Sequence, residues 1–346
     1  MKILINTPDI SILGGVANHY KGLKPYWSQN VIYNFVGGRK GVPGPIWLVF
    51  DYFEFIFLCA FGKYDAIILN PSLGKTAIKR DILFLRIAKR FKIKTIVFFH
   101  GWSNDMVGEL NINSKFFSRS FNQADNLIVL AHAFKMDLIK WGITKPICLA
   151  TTKVNDNLLN QFDFNLKVWN YNILFLTRIE TYKGIFITLE AYSTVKSQFS
   201  KATLTIAGEG SKLNLAKKFV LDKNIQDVVF LGDISGNDLI ETFSKASIYI
   251  LPSHSEGMPT SVLEAMAFGL PIVSRPVGGL IDFFEKSKMG YLIESLNPDD
   301  YAKKLIHLLT NPQKCKEIGY YNHKYSKANF MASKVAIEIE KILSDV

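Results

Sequence analysis

Two carboxylates, Glu256 and Glu264, bracket a predicted helix start, with seven residues between them. The string Pro252-Ser253-His254-Ser255-Glu256-Gly257-Met258-Pro259 follows an apolar run, 247–251, that reads as a buried strand. Thr260 or Ser261 is placed to cap the helix, Gly269 to end it, and Pro271 to stop it resuming. A helix N-terminus offers unpaired N–H groups and partial positive charge. Carboxylates beside it accept hydrogen bonds from vicinal hydroxyls. Together they suit a ligand with both phosphates and sugar rings, such as a nucleotide sugar. The structural alternative is a capping box. Ser261 and Glu264 have its spacing, and Glu264 would then satisfy only the helix start.

Two further places have the residue types of a site. Gly14-Gly15 follows the first strand and precedes a helical stretch, Val16 to Leu23. Strand, glycine loop and helix present backbone N–H groups to phosphate in α/β folds. The glycines lack the G-x-G-x-x-G spacing, so an ordinary turn stands as the alternative. His100-Gly101 ends a strand, where open α/β sheets bind ligands. A purely structural histidine is the other reading.

The elements that must position these residues alternate in type. In the first half, 2–6, 31–35, 65–69, 95–99 and 126–130 read as strands, with a helix at 134–141. Periodicity lapses between Thr151 and Val168, which reads as a linker. The rhythm then restarts with strands at 173–176, 203–207, 228–231, 248–251 and 271–274. These end in Thr177-Arg178, Gly208-Glu209-Gly210, Gly232-Asp233, the Glu256 string and, after a few residues, Gly278-Gly279. Such repetition is what a nucleotide-binding doubly wound sheet requires. Helices fill 299–309, 312–325 and 332–343.

Composition bounds the partners. The 346 residues suggest about two domains at roughly 150 residues each. Basic residues number 41 against 30 acidic, a net charge of +11, which favours anionic partners: nucleoside diphosphates, phospholipid or nucleic acid. Cys59, Cys148 and Cys315 are far apart and suggest a reducing compartment. The six histidines show no metal-ligand spacing. No signal peptide is visible, and no run reaches the roughly 18 apolar residues of a spanning helix. The nearest is Ile46 to Phe61, interrupted by Asp51 and Glu54. That aromatic stretch reads either as a helix buried against the sheet or as a surface helix dipping into a lipid interface beside Arg39 and Lys40. A basic stripe follows at Lys75, Lys79, Arg80, Arg86, Lys89, Arg90, Lys92 and Lys94. It is either a solvated face or an attraction to anionic lipid.

The second half resembles the retaining glycosyltransferases of family four, of GT-B fold. The resemblance rests on Arg178 with Lys183-Gly184, Ala207-Gly208-Glu209-Gly210, Phe230-Leu231-Gly232, Leu251-Pro252-Ser253, Glu256-Gly257-Met258-Pro259, Leu263-Glu264-Ala265-Met266-Ala267 and Gly269-Leu270-Pro271. In the first half it rests only on Gly14-Gly15 and His100-Gly101. It departs from the family at Thr177, where a glycine is usual, and at Ala131-His132, where a serine is common.

The resemblance implies two Rossmann-like doubly wound α/β domains facing across a cleft, at 1–160 and 161–328, with residues 329–346 crossing back as a helix. Arg178 and Lys183 would clamp the donor diphosphate and stabilise the leaving group. Glu256 would hold donor-sugar hydroxyls and Glu264 the ribose. Gly14, Gly15, Gly208, Gly257, Met258, Pro259 and Thr260 would line the donor, Ile234 would border the base, and His100 would approach the transferred sugar from the acceptor side. The expected activity is transfer of a hexosyl group, with retention, from a nucleotide sugar (UDP favoured) to a saccharide or lipid-linked saccharide. Cell-surface polysaccharide assembly is the expected setting, in the cytoplasm or peripherally on the inner membrane face. No Asp-x-Asp stands in a matching position, so neither a metal nor another cofactor is expected. A GT-B nucleotide-sugar epimerase and a basic nucleic-acid-binding protein are the alternatives. The dispersed basic residues weigh against nucleic acid.

Overall fold

A computed structural model describes residues 1–12, 14–37 and 44–345, with side chains from 46 onward after the second gap. Arg39 and Lys40 lie outside the described residues. The chain divides into two compact units: an N-terminal unit of Met1–Lys153 with Ala332–Val346, and a C-terminal unit of Val154–Met331.

In the N-terminal unit the order is β1 (Lys2–Thr7), α1 (Gly15–Leu23), β2 (Asn30–Phe35), α2 (Gly44–Phe61), β3 (Ala66–Leu69), β4 (Ser72–Leu73), α3 (Lys75–Arg90), β5 (Lys94–Phe99), β6 (Gly101–Trp102), α4 (Asn104–Ile112), α5 (Lys115–Phe121), β7 (Asn126–Val129), α6 (His132–Lys140) and β8 (Ile147–Leu149). Six strands pair in parallel in the order β2-β1-β3-β5-β7-β8, and β4 pairs with β6. The central strands are apolar on both faces, as parallel strands covered by helices must be. Ile3, Leu4 and Ile5, like Ile96, Val97 and Phe98, are fully buried.

In the C-terminal unit β9 (Asn172–Leu176), α7 (Ile185–Gln198), β10 (Thr203–Ala207), α8 (Leu213–Asp222), β11 (Val228–Gly232), α9 (Gly236–Lys245), β12 (Ile248–Leu251), α10 (Thr260–Ala267), β13 (Ile272–Ser274), α11 (Leu280–Phe283), β14 (Gly290–Leu292), α12 (Pro298–Leu309) and α13 (Pro312–Asn329) follow. The parallel order is β11-β10-β9-β12-β13-β14, that is, 3-2-1-4-5-6 counted within the unit. Because crossovers are right-handed, such a sheet reverses direction between its first and fourth strands. A crevice opens at the carboxyl ends of the two strands flanking that reversal, here β9 and β12. In the N-terminal unit the reversal falls between β1 and β3.

The last helix, α14 (Ala332–Ser344), belongs to the N-terminal unit. Its Glu340 carboxylate accepts the N–H groups of Ser28 (2.7 Å) and Gln29 (3.0 Å) and the Ser28 hydroxyl (2.6 Å). Lys94 Nζ donates to the Leu343 carbonyl at 2.9 Å.

Two readings of local structure are corrected. Helix α10 starts at Thr260 with Pro259 at the N-cap and no side-chain cap, so neither Thr260 nor Ser261 caps it. The fixed φ of Pro259, −73°, sets the entry, and Glu264 falls on the second turn, beyond capping-box reach. Ser261 instead meets the Tyr249 hydroxyl at 2.7 Å. The helix does end as expected. Gly269 is left-handed (φ +70°), and the N–H groups of Gly269 and Leu270 bond to the carbonyls of Met266 and Ala265. The second correction concerns α2. It is not buried all round, because Ile46, Val49, Phe50, Phe53, Phe57 and Phe61 are exposed.

Candidate donor site

Lys183 and Glu256 reach one another across the reversal point of the C-terminal sheet. After β9 the chain passes Arg178 and makes a single 3-10 turn, Thr181–Lys183. Gly184 ends that turn with φ +83°, and a Cβ there would lie 2.4 Å from the Pro252 carbonyl oxygen. Glycine therefore lets the chain leaving β9 press against the chain leaving β12. The Tyr182 carbonyl accepts the His254 N–H at 2.8 Å, and the Ser253 hydroxyl lies 3.3 Å from it. Lys183 Nζ then sits 2.6 and 2.7 Å from the two Glu256 oxygens. Both side chains are about nine-tenths buried, at 11% and 9% exposure.

Arg178 lies on the same loop. Its guanidinium is 5.8 Å from the Tyr182 ring centre and the Lys183 ammonium 5.5 Å from it, so one aromatic ring lies within cation–π range of both cations. The loop after β10 packs against this one. Gly208 has φ +126°, and a Cβ on it would lie 2.1 Å from the Thr177 carbonyl oxygen. The Ile179 N–H donates to the Glu209 carbonyl at 2.9 Å. Glu180 accepts the Ser211 N–H and hydroxyl at 2.8 and 2.7 Å, which holds its carboxyl below the usual range. Beyond Glu256, the Gly257 carbonyl accepts the Gly279 N–H at 2.8 Å, Met258 is half-buried against the core, and Thr260 opens α10. Glu264 is buried, at 7% exposure.

Arg178, Lys183, Gly208, the 256–260 loop and Glu264 are thus gathered at the carboxyl ends of β9, β10 and β12. The result is two cations, two carboxylates and an uncapped helix N-terminus: groups that can take a diphosphate on one side and sugar hydroxyls on the other. Ile234 is half-buried in the loop after the edge strand β11, two residues beyond Gly232, whose carbonyl accepts the Gly208 N–H at 2.6 Å. A shallow depression of about 590 Å³ near Phe164, Tyr320, His323 and Lys327 contains none of them. Among the described residues no group of three His, Cys, Asp or Glu is placed to hold a metal.

In the N-terminal unit, His100 sits at the end of β5 and is tied to Asn70 at the end of β3. Asn70 donates through Nδ2 to the Asn6 carbonyl (3.0 Å), which fixes its amide. Its Oδ1 accepts from the Tyr20 hydroxyl (2.7 Å) and faces His100 Nε2 at 2.9 Å. Nε2 therefore carries the proton, and Nδ1 is left as the acceptor. The His100 ring keeps part of its surface open to solvent, yet it is enclosed by Phe98 (3.9 Å), His19 and Tyr20. Enclosure brings its pKa down to about 3, so it is neutral at physiological pH. Burial also holds His19 well below the usual value, and both its nitrogens lack a hydrogen-bond partner among the described residues. Gly14 is the N-cap of α1 and Gly15 its first residue. A Cβ on Gly15 would meet nothing within 4 Å, so no packing within the chain demands glycine there.

Sequence reading missed Asn70, His19 and Tyr182. Asn70-Pro71 at a strand's carboxyl end was the available signal for the first. The other two carry none beyond their place next to glycine loops.

The family described as glycosyl transferases group 1 matches residues 159–325. An uncharacterized glycosyltransferase of Methanocaldococcus jannaschii is 24% identical over 261 residues, 75% of this chain and 71% of that protein. The amylovoran biosynthesis glycosyltransferase AmsK of Erwinia amylovora is 28% identical over 65% of this chain and 57% of its own length. Among solved structures, Anabaena HepE in complex with UDP and glucose superposes over 100% of both chains with a TM-score of 0.77 at 17% identity. Residues 159–325 are thus similar to the glycosyl transferases group 1, and the chain has the GT-B fold.

Proposed function

We propose that this glycosyltransferase moves a hexosyl group, with retention, from a UDP-sugar to a saccharide or lipid-linked saccharide in cell-surface polysaccharide assembly on the cytoplasmic side. The Lys183–Glu256 pair carries the reading. It lies at the sheet's reversal point, beside Arg178 and the start of α10. A diphosphate entering there gives Lys183 a second anion, and a donor sugar gives Glu256 hydroxyls to accept. Arg178 and Lys183 then face the phosphate oxygens on which charge grows as the glycosidic bond breaks. In a front-side displacement the acceptor oxygen bonds to the anomeric carbon on the face the diphosphate leaves. Its proton passes to a departing phosphate oxygen, so no enzyme nucleophile and no metal is invoked.

UDP is favoured because HepE was solved with UDP and glucose, and a polysaccharide acceptor because AmsK serves amylovoran biosynthesis. The test is to incubate the protein with UDP-glucose, UDP-galactose or UDP-N-acetylglucosamine and membrane lipid extract, then follow UDP release and the product's anomeric proton by NMR. An α-linked product from an α-linked donor is expected. Inversion overturns the retaining reading, and an interconverted nucleotide sugar without transfer favours the epimerase.

A further inference from the structure

Helix α2 is apolar on its outward side as well as on the side that faces the unit. Ile46, Val49, Phe50, Phe53, Phe57 and Phe61 recur at helical spacing on one stripe, each 50–70% exposed. The opposite side faces the unit and holds Phe55, Cys59 and the carboxylate of Asp51, which accepts the Gly37 N–H at 2.8 Å. A helix that only covers a core carries polar residues on its outer side. Six large apolar side chains on one stripe, four of them phenylalanine, form a patch of the kind that marks an interaction surface.

Beside it lies α3, packed on α2 through Phe84 against Tyr52 (4.6 Å) and Phe55 (4.9 Å). Its exposed residues include Lys79, Leu83, Arg86 and Arg90, again one stripe, with Lys92 just beyond. The net charge divides unequally between the two units. The N-terminal unit has 22 Lys and Arg against 12 Asp and Glu, whereas the C-terminal unit has 19 against 18. Almost the whole excess of +11 thus falls on the unit that carries the aromatic stripe.

We infer that the outward faces of α2 and α3 dock this protein on an anionic phospholipid bilayer. The phenylalanines enter the headgroup–acyl boundary, and the lysines and arginines rest on lipid phosphates. Each signal alone gives weak, reversible attachment, and the two together hold a protein at a surface. A second copy is disfavoured as occupant, since it would set two strongly basic units face to face. Asp51 and Glu54 interrupt α2, and its inner side packs on the unit through Phe55 and Cys59, so the contact is placed at the interface. The inference does not rest on the donor site, because vesicle binding is read without nucleotide.

The test is flotation of the full chain with vesicles of phosphatidylcholine alone and of phosphatidylcholine with about a third phosphatidylglycerol, at physiological salt. The variants are F50S/F53S/F57S and K79Q/R86Q/R90Q, each checked for a cooperative unfolding transition. F53E serves if the triple aromatic variant fails to fold. The expected result is at least tenfold stronger partition of the wild type onto anionic than neutral vesicles. At least tenfold of that is lost in either variant. Equal partition of wild type and aromatic variant overturns the inference. So does a concentration-dependent dimer abolished by the aromatic change, or binding to single-stranded RNA without binding to vesicles.

Discussion

The ammonium of Lys183 lies within 2.7 Å of both Glu256 oxygens, although the residues are 73 positions apart in sequence. The pair is nearly dry, so each charge depends on the other. Breaking such a pair outright costs about 3–5 kcal/mol. The Glu256→Gln variant should lose less, about 2 kcal/mol, because the amide oxygen still accepts from Lys183. Urea unfolding checks this. Turnover should fall by about two orders of magnitude or more, while affinity for a nucleoside diphosphate without sugar is kept or rises, since Lys183 is released from its internal anion. Weaker binding to E256Q would show that the carboxylate serves the fold rather than the sugar.

Two glycines should separate architecture from ligand contact. Gly184→Ala places a Cβ 2.4 Å from the Pro252 oxygen at a positive φ. It should cost at least about 1–3 kcal/mol and loosen the loop that carries Lys183. Gly15→Ala meets open space, so stability should change by less than about 0.5 kcal/mol. If the α1 N-terminus faces donor phosphate, kcat/KM for the donor should still drop in G15A. Unchanged kinetics would leave Gly15 as an ordinary turn.

Acid should weaken the N-terminal unit through its buried histidines. His100 is held at about 3, and His19 well below its ordinary value, whereas both titrate near 6.5 when unfolded. Above that value neither state binds a proton, and stability is unaffected. As pH falls below about 6.5 the unfolded chain takes up protons that the native unit refuses, so stability declines. Denaturant melts between pH 7.5 and 4.5 should show this slope, and His19→Gln should flatten it by up to one proton. A slope unchanged in H19Q would mean that the ring protonates in the folded protein.

Glu340 gives α14 a specific anchor. Its carboxylate accepts two backbone N–H groups and a hydroxyl from 28–29 while only 8% exposed. Glu340→Ala strands those donors and should cost about 1–3 kcal/mol. Limited proteolysis should then release the C-terminal helix sooner than in the wild type.

The strands were legible because parallel strands covered on both faces are continuous apolar runs, as Ile3-Leu4-Ile5 and Ile248 to Leu251 are. The edge strands β8 and β14 were not: β13 has three residues as well, but it is buried throughout and reads as an apolar run, whereas β8 and β14 each bury a single residue. The residues of the Glu256 string were legible as site candidates. Their meeting with Lys183 was not, because it depends on strand order: only with β12 beside β9 do the two loops touch. The cap was misread because Pro259 starts α10 ahead of Ser261. Helix α2 is apolar nearly all round, so composition left open which face turned outward. The inward face proved to carry Asp51.

The most direct test of the donor site is thermal unfolding with UDP, GDP, CDP and ADP, for wild type and Lys183→Ala. A ligand that binds only the folded state stabilises it by about 2.7 kcal/mol at about a hundred times its dissociation constant. The account predicts that one nucleoside diphosphate, UDP first among them, raises the wild-type Tm by several degrees, and that K183A loses most of that shift while remaining folded. No shift with any of the four at millimolar concentration would contradict the account, as would an equal shift in K183A.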